Sequence, residues 1–362
     1  MTLTHSQAYH DPRIARSLVA RIEALAPQPV RLMEVCGTHT VAIFRHGIRS
    51  MLPRSITLLS GPGCPVCVTD QADIDAFVDL TRRRDVIVAT FGDLMRVPGS
   101  GSSLLARKAE GADVRVVYSP LDAVDLARRT PEKQIVFLGV GFETTAPAIA
   151  AAIVTARQAS LTNFSVYSAH KTVPAALSAL CSSGQVRIDG FLLPGHVSVI
   201  IGVEAYRSFF EQHHVPAVVA GFEPSDILQA VLMLMHQISE GRPLLENAYE
   251  RVVSTRGNAK AQALLDQVFE PCDARWRGIG ILRGSGLAVR AEWAEFDAGQ
   301  RFALEVTPVP EPKGCACGQI LTGHKMPPEC PLFRTRCTPL NPVGPCMVST
   351  EGTCAAYYRY GN

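Results

Sequence analysis

Short runs of β-branched and other apolar residues alternate with helix-like stretches through most of this chain. The runs include PVRLMEV, DVIVATF, QIVFLGV and PAVVAG, and the stretches between them include DQADIDAFVDLTRR and APAIAAAIVTARQA. Nearly continuous apolar strands that alternate with helices are typical of parallel sheets with both faces covered. At 362 residues the chain is too long for one ordinary core. The pattern therefore predicts an α/β protein with parallel sheets, divided into two or three domains.

Composition and charge argue against several classes of protein. The net charge of +2 is too small for the concentrated basic face of a nucleic-acid-binding protein, so we expect no nucleic-acid partner. The chain has no apolar run of about 18 residues, which predicts no membrane-spanning helix and no membrane partner. The N-terminal stretch MTLTHSQAYHDPRIAR lacks the apolar segment of a signal peptide. Together these features predict a cytoplasmic protein.

The 11 cysteines are informative in that location, because a reducing compartment disfavours structural disulfides and favours metal-binding or catalytic thiols. Six of them, with nine of the 25 prolines, fall between residues 301 and 362, where no helical periodicity is visible. Such a stretch buries little apolar surface, so cysteine–metal bonds are the obvious means of holding it together. Four of these thiols could carry an iron–sulfur cluster, and zinc is the alternative. The stretch EVTPVPEPKG is a plausible linker into this region.

Chemically reactive residues follow the predicted strands one after another. In open parallel sheets, ligands bind beyond the carboxyl ends of the strands. The seven segments at these positions are CGTH (36–39), GPGCPVC (61–67), GD (92–93), GFETT (141–145), HK (170–171), PGHVS (194–198) and FEP (222–224). We expect these segments to line a shared cleft with thiols, imidazoles, carboxylates and hydroxyls.

The first two segments carry three cysteines. Cys36 and His39 lie three residues apart after a strand, so both could reach one iron or zinc ion. The alternative is a half-buried cysteine and a histidine bonded to a backbone carbonyl. Cys64 and Cys67 form a CxxC in a proline-flanked turn shortly before a helix, and a helix N-terminus lowers a thiol pKa. A redox dithiol, a zinc site and inert packing are the three interpretations of this pair.

The later segments offer acid–base and anion-binding groups. Thr145 stands before Ala146 and Pro147, as a helix N-cap would. The alternative is an anion or nucleotide site at that helix N-terminus, with Glu143 as acid, base or metal partner. His196 is a further catalytic candidate, although no GxSxG motif supports a serine hydrolase. The candidate cofactor-binding residues are Gly141, Phe142, Thr144, Thr145 and Ser198, with ATP as a candidate ligand even though no P-loop motif is present.

Taken together and in this order, the motifs resemble one family. CGTH, GPGCPVC, GFETT, PGHVS and the tail ECPLF…CTPLNPVGPCMVSTEGTCAAYY resemble the hydrogenase maturation proteins of the HypD family, over essentially the whole chain. The resemblance implies two parallel-sheet α/β domains of similar topology and a small, irregular, cysteine-rich iron–sulfur domain. We place these domains at residues 1–125, 126–304 and 305–362. The N-terminal helix is a candidate to pack on the third domain.

The resemblance also implies roles for the cysteines. The family builds the Fe(CN)2CO group of NiFe hydrogenases, and by this resemblance Cys36 holds the iron, an Fe(II) that transiently carries cyanide and carbon monoxide, with His39 lining the site. Cys64 and Cys67 would supply or relay electrons. The family's 4Fe-4S pattern has gaps of 14, 6 and 16 residues, which Cys315, Cys330, Cys337 and Cys354 reproduce. By that spacing Cys317 and Cys346 are left out, although Cys317 could replace Cys315.

The implied partners are a small HypC-type chaperone, whose N-terminal cysteine shares the iron, a HypE-type cyanide donor and, indirectly, the hydrogenase large subunit. The implied protein is thus an assembly scaffold with dithiol–disulfide activity, and whether it is also an enzyme stays open. A free-standing iron–sulfur thiol oxidoreductase and a zinc-stabilised interaction protein are the alternatives. One departure from the family is Val68-Thr69-Asp70, where relatives often carry a proline; Asp70 could cap the next helix.

Overall fold

The computed structural model describes residues 11–26, 28–304 and 306–361. Residues 1–10, which hold part of the stretch examined for a signal peptide, and residue 305, the predicted start of the third domain, lie outside the described residues. The strands are β1 (Val30–Glu34), β2 (Ile56–Ser60), β3 (Val86–Thr90), β4 (Val114–Val116), β5 (Gln134–Gly139), β6 (Phe164–Ser168), β7 (Gly190–Pro194), β8 (Ala217–Ala220), β9 (Leu245–Asn247), β10 (Phe269–Trp276) and β11 (Gly280–Val289).

The helices are α1 (Pro12–Ala24), α2 (Gly37–Arg45), α3 (Ile48–Met51), α4 (Pro65–Val68), α5 (Gln71–Leu80), α6 (Leu104–Ala109), α7 (Pro120–Arg129), α8 (Ala146–Gln158), α9 (Val173–Ser183), α10 (Gly195–Ile201), α11 (Arg207–His213), α12 (Pro224–Ser239), α13 (Ala259–Val268), α14 (Ala298–Arg301), α15 (Cys317–Leu321) and α16 (Thr353–Tyr360). Short 3-10 turns lie at Gly92–Leu94, Glu204–Tyr206, Ala291–Phe296, Pro327–Glu329 and Pro345–Met347. Within the described residues, no helix combines the length and apolar character needed to cross a membrane.

Two parallel sheets form the centre of the molecule and confirm the predicted α/β class. The first has five strands in the order β2-β1-β7-β8-β9, and the second has four in the order β4-β3-β5-β6. Strands β3 and β8 are buried at every position, as expected of strands that are covered on both faces. An antiparallel pair, β10 with β11, and the cysteine-rich C-terminal region complete the fold.

The sheets do not follow the predicted division of the chain at residue 125. The chain leaves the first sheet after β2, builds the whole second sheet from β3 to β6, and then returns, so that Leu32 of β1 pairs with Gly190 of β7. Strand β3 likewise pairs with β4 on one side of residue 125 and with β5 on the other. Parallel strands are joined by crossovers, so neighbours in a sheet need not be neighbours in sequence.

Helix α1 packs in a different place from the one we expected. Its buried residues Ala15, Leu18 and Ile22 lie on one face, as the amphipathic spacing of the helix requires. That face packs against α12 in the core of the first sheet, and not on the cysteine-rich region. The long apolar face of α12 offers α1 more surface to bury than the irregular C-terminal region does.

The C-terminal region is built into the rest of the molecule. Helix α16 packs on α2, which follows the CGTH motif, and the turn Pro345–Met347 packs on α4, which carries the CxxC. Buried cysteines of the tail share one apolar core with residues of both sheets. The region is therefore placed against the two cysteine motifs of the first sheet.

Candidate functional site

Cys36 lies at the carboxyl end of β1 and occupies the N-cap position of α2. The residue is 8% exposed, and its backbone amide donates to Oε2 of Glu34 at 3.2 Å. Burial raises the pKa of the Cys36 thiol to about 12, and the nearby Glu351 carboxylate adds to this rise. The thiol therefore holds its proton at neutral pH until a cation replaces it.

Cys64 and Cys67 are joined by a disulfide, with their Cα atoms 5.2 Å apart. Cys64 is 3% exposed and Cys67 is fully buried. We expected Cys64 near the start of the helix DQADIDAF, but it caps the preceding one-turn helix α4 instead. The next helix, α5, has its own cap in Asp70, which accepts from the amide of Ala72 at 3.0 Å, so the capping role predicted for Asp70 is confirmed.

The structure brings the CGTH and GPGC loops into direct contact. The amide of Gly37 donates to the carbonyl of Gly63 at 2.9 Å, and that of Gly61 donates to the carbonyl of Glu34 at 2.7 Å. Only glycine fits at position 63, because a Cβ there would lie 2.1 Å from the backbone nitrogen of Cys36. The two loops follow neighbouring strands, β1 and β2, and this adjacency explains the contact.

His39 is fully buried one helical turn after Cys36. Its Nε2 donates to the carbonyl oxygen of Gly221 at 2.9 Å, so the backbone-bonded interpretation applies to that nitrogen. Its Nδ1 is buried and has no hydrogen-bond partner among the described residues. Burial lowers the pKa of the His39 imidazole to about 4, which keeps the ring neutral and leaves Nδ1 as a free acceptor.

An aromatic stack connects His39 with the surface. The Phe222 ring lies 4.7 Å from the His39 ring on one side and 3.9 Å from the His196 ring on the other, measured between centroids. His196 is exposed, and partial burial lowers its pKa. Segments CGTH, PGHVS and FEP therefore meet at this edge of the first sheet, and a cleft shared by all seven segments stays a prediction.

Glu143 of the GFETT segment is a buried carboxyl group with one unsatisfied oxygen. Its Oε1 accepts from the amide of Val173 at 3.0 Å, whereas its Oε2 has no partner among the described residues. Burial raises the pKa of Glu143 to about 7. Burial raises the pKa of the Tyr206 phenol, and charges on Glu143 and Cys36 add to this rise.

The candidate cofactor-binding residues mostly make internal contacts. Thr145 occupies the N-cap position of α8 but makes no capping hydrogen bond with its side chain, and Gly141 packs closely on its Cβ. The Phe142 ring stacks on Trp276 with 5.8 Å between centroids. Ser198 is fully buried, donates to the carbonyl of Pro194 at 2.8 Å and lies 3.0 Å from the Tyr206 hydroxyl. Thr144 is the exposed member of the set.

The four cysteines whose spacing matches the cluster pattern, Cys315, Cys330, Cys337 and Cys354, lie close enough for their charges to interact. Burial raises the pKa of the Cys354 thiol, and charges on Cys317, Cys315, Cys337 and Cys330 raise it further. The amide of Val343 donates to the Cys337 sulfur at 3.3 Å, a type of bond that cluster thiolates accept. Gly344 leaves space beside Cys315, because a Cβ there would lie 2.8 Å from its sulfur.

Four buried or half-buried thiols are a donor set of the kind that holds an iron–sulfur cluster. Within the described residues, no three His, Cys, Asp or Glu side chains are arranged to hold one metal ion. A cluster separates its cysteine sulfurs by its own iron and sulfide atoms, so its ligands do not need to converge on one point. The electrostatic coupling among the tail thiols, Cys317 included, and the amide donor at Cys337 are consistent with such a group.

Cys317 and Cys346, which the spacing left out, form a close pair of their own. Their sulfurs are 2.7 Å apart, and both side chains are buried. Cys346 belongs to the turn that packs on α4, and Cys317 also hydrogen-bonds to Cys315. The two residues are 29 positions apart, and no local pattern signals their pairing.

Glu351 is a second residue that sequence reasoning missed. Its Oε1 accepts from the Thr38 hydroxyl at 2.7 Å, and Gly37 is so close that a Cβ there would lie 2.5 Å from the Glu351 Cβ. Nearby, the Ser349 hydroxyl donates to Asp93 of the GD segment at 3.1 Å. The C-terminal region therefore docks on two of the predicted loops.

Two cavities are lined by residues other than Cys36, Cys64 and Cys67. One, of about 680 Å³, is lined by Arg157, Arg301 and Phe296 beside the end of α8. The other, of about 200 Å³, adjoins the HK segment, where the buried Lys171 ammonium lies 3.7 Å from Asp73. The HK segment thus faces the β10–β11 hairpin, where Lys171 forms a bridge to Gly286.

Comparison with known proteins gives a consistent result. A family model described as "HypD: Hydrogenase formation hypA family" matches residues 13–361. A protein named hydrogenase maturation factor HypD from Azotobacter vinelandii is 49% identical, over 98% of this chain and 96% of its own length. Proteins of the same name from Rhodobacter capsulatus and Cupriavidus necator are 47% and 46% identical, over 98% and 99% of this chain and 97% of their own lengths.

Proposed function

The chain belongs to the HypD family of hydrogenase maturation factors, and we propose that it is the scaffold on which the Fe(CN)2CO unit of a NiFe hydrogenase is assembled. In this proposal Cys36 anchors the iron, which is cargo and not a resident cofactor. The Cys64–Cys67 pair serves as the adjacent source of electrons. The observation that carries the proposal is the contact between the CGTH and GPGC loops, with 2.9 Å between the Gly37 nitrogen and the Gly63 oxygen.

The surroundings of Cys36 suit a site that holds an iron ion temporarily and then releases it. A buried thiol with a pKa of about 12 gives up its proton only when a metal cation takes its place. A soft thiolate is a suitable ligand for low-spin Fe(II) with strong-field cyanide and carbonyl ligands. The free Nδ1 of His39 is a neutral acceptor one turn away on the same helix, and it can accept a hydrogen bond from a donor such as water at the iron.

Partners complete the iron site from outside. A small HypC-type chaperone would add its own cysteine to the iron, a HypE-type protein would deliver cyanide, and the hydrogenase large subunit would receive the product indirectly. The exposed His196, stacked on Phe222 and through it on His39, supports an approach from this side. ATP binding at the GFETT segment would have to use Thr144, because the other candidates make internal contacts.

In this proposal the C-terminal cysteines hold a cluster that supplies electrons to the Cys64–Cys67 disulfide. A 4Fe-4S cluster held by Cys315, Cys330, Cys337 and Cys354 would supply single electrons. The turn that holds Cys346 packs on α4, which contains Cys67 and is capped by Cys64. Glu143, with a pKa of about 7, is suited to give or take a proton as thiols form and are lost.

The alternative of a free-standing thiol oxidoreductase is less well supported. Cys64 is 3% exposed and Cys67 is fully buried, so a substrate disulfide in solution has little access to either sulfur. A disulfide inside the protein that faces a bound metal does not need such access. This burial favours a scaffold that uses its dithiol internally.

Infrared spectroscopy of the anaerobically purified protein with its small chaperone tests the proposal. We expect cyanide and carbonyl stretches on the wild-type complex and none on Cys36→Ala, while the variant keeps its fold and its brown iron–sulfur colour. Cys181→Ala, which changes an isolated half-buried thiol on α9, is the matched control and should keep the bands. Bands of normal intensity on Cys36→Ala would show that another residue anchors the iron.

A further inference from the structure

Arg251 and Asp226 form an ion pair behind the FEP segment. Nη1 of Arg251 donates to Oδ1 of Asp226 at 2.7 Å, and Nη2 donates to Oδ2 at 2.5 Å. The Asp226 side chain is 3% exposed and that of Arg251 is 33% exposed. A bidentate pair of this kind fixes the orientation of both groups as well as their separation. It joins the first turn of α12 to the turn that follows β9.

The backbone of Gly221 lies directly against this ion pair. A Cβ at Gly221 would lie 2.3 Å from Oδ2 of Asp226 and 2.7 Å from Cδ2 of Tyr249. The guanidinium of Arg251 lies over the Tyr249 ring, 4.5 Å from its centroid. Oδ2 of Asp226 also accepts from the amide of Glu223 at 3.3 Å. The carboxylate and the ring therefore hold this stretch of backbone in place.

The same stretch of backbone orients His39. Nε2 of His39 lies 2.9 Å from the carbonyl oxygen of Gly221 and 3.3 Å from that of Ala220. The His39 ring also packs on Phe222, with 4.7 Å between centroids. Because both neighbours of Nε2 are carbonyl oxygens, this nitrogen carries the ring proton. The end of β8 therefore determines the direction in which Nδ1, which has no partner among the described residues, points.

We propose that Arg251, acting through Asp226, is a positioning residue for His39. The ion pair fixes the carbonyl of Gly221, and this carbonyl fixes the imidazole one helical turn from Cys36. An exposed ion pair stabilises little, whereas removal of one partner of a buried pair leaves a charge without compensation. Loss of the guanidinium therefore displaces the carboxylate and the backbone that packs on it. The inference rests on the proposed function only in taking His39 to line the iron site.

The test measures how fast the Nε2 proton of His39 exchanges with solvent in the full chain, purified anaerobically without its partner proteins. The chain is labelled with 15N-histidine, and NMR identifies the His39 resonance as the one that is absent from His39→Gln. Arg251→Gln removes the charge and the forked donor from Asp226. Arg207→Gln is the matched control, because Arg207 also binds a carboxylate, that of Glu204, through two nitrogens, but these two side chains are 59% and 49% exposed.

We expect the Nε2 proton to exchange at least about tenfold faster in Arg251→Gln and to stay within about threefold of the wild type in Arg207→Gln. Hydrogen-exchange mass spectrometry of β8 in the same samples reports general opening of the sheet, and β8 should stay within about threefold of the wild type. An unchanged ring proton in Arg251→Gln would overturn the proposal. Equal acceleration in β8 would also overturn it, since the loosening would then be general. A ring proton that already exchanges too fast to be observed in the wild type would do the same.

A second variant keeps the test decisive if Arg251→Gln does not fold. Arg251→Lys leaves a cation beside Asp226, so the buried carboxylate is not left unpaired, but it removes the forked donor. We expect faster exchange of the His39 proton in this variant too, and a wild-type rate would refute the role of the bidentate pair. The infrared experiment separates this inference from the proposed function. A wild-type complex without cyanide and carbonyl bands would defeat the proposed function and leave the exchange result at His39 untouched.

Discussion

Replacing Gly63 with alanine tests the contact on which the proposed iron site depends. The added Cβ would lie 2.1 Å from the Cys36 nitrogen, 2.3 Å from the Val35 carbonyl carbon and 2.4 Å from the Cys36 Cα. To move this carbon from 2.1 Å to 3.0 Å from that nitrogen, the two loops must separate by about 0.9 Å. The obstructing atoms are backbone, which cannot rotate away as a side chain can.

The expected cost follows from this geometry. Overpacking a well-packed interior costs about 1–3 kcal/mol, and contact with backbone belongs at the upper end of that range. The Gly37–Gly63 hydrogen bond of 2.9 Å lies in the same contact and should weaken with it. We therefore expect Gly63→Ala to lower the free energy of unfolding by about 2–3 kcal/mol and to abolish hydrogenase maturation.

Two measurements check this prediction. Denaturant unfolding gives the stability change, and hydrogenase activity in cells that depend on the variant gives the functional change. Gly101→Ala is the matched control, because nothing lies within 4 Å of a Cβ at that position. If Gly63→Ala matured hydrogenase as well as Gly101→Ala does, the reasoning that the two loops must touch would be refuted.

Two further predictions concern the cluster and Glu143. Cys337→Ala should remove the brown colour and the bound iron and sulfide, whereas Cys346→Ser should keep them; the opposite result would show that the spacing assigns the ligands incorrectly. The pKa of Glu143 rises on folding from 4.5 to about 7, so its contribution to stability is complete below pH 4.5 and is lost as the pH rises to about 7. Across that pH range the free energy of unfolding of the wild type should therefore fall by on the order of 3 kcal/mol. Glu143→Gln should not show this fall, and denaturant unfolding at several pH values measures the difference. Parallel pH profiles for the two proteins would contradict the burial of an ionisable carboxyl group.

The strands of the two parallel sheets could largely be read from the sequence. Each of the strands β1 to β8 corresponds, in order, to one of eight apolar runs in the sequence. These runs are PVRLMEV, SITLLS, DVIVATF, VRVVYS, QIVFLGV, NFSVYS, GFLL and PAVVAG. Strand β9 was missed because it has only three half-buried residues at the edge of its sheet. The hairpin was missed because β10 and β11 alternate polar and small residues and carry few β-branched ones.

The order of the strands could not be read in the same way. Local patterns report which residues are buried, but the pairing of β1 with β7 depends on contacts between segments about 160 residues apart. For the same reason the division at residue 125 did not match the sheets. A buried apolar run looks the same whichever strand lies beside it.

The candidate site could also be predicted only where the signal was local in sequence. The loops that follow neighbouring strands were predictable as a group, since parallel strands end at one edge of a sheet. Glu351 and the Cys317–Cys346 pair were not predictable, because their importance lies in partners that are distant in sequence and in burial that a polar residue does not signal.

The position of Glu351 connects the C-terminal region with the proposed iron anchor. Glu351 accepts from Thr38 and packs on Gly37, and both residues lie in the turn that begins at Cys36. Three residues later, Cys354 joins the group of tail thiols. A displacement of the tail therefore changes the charge and the packing at the Cys36 thiol, whose pKa of about 12 already depends on burial first and on Glu351 second. In the proposed function a proton and an iron ion compete for this sulfur, so the docking of the tail would help to set how firmly the iron is held.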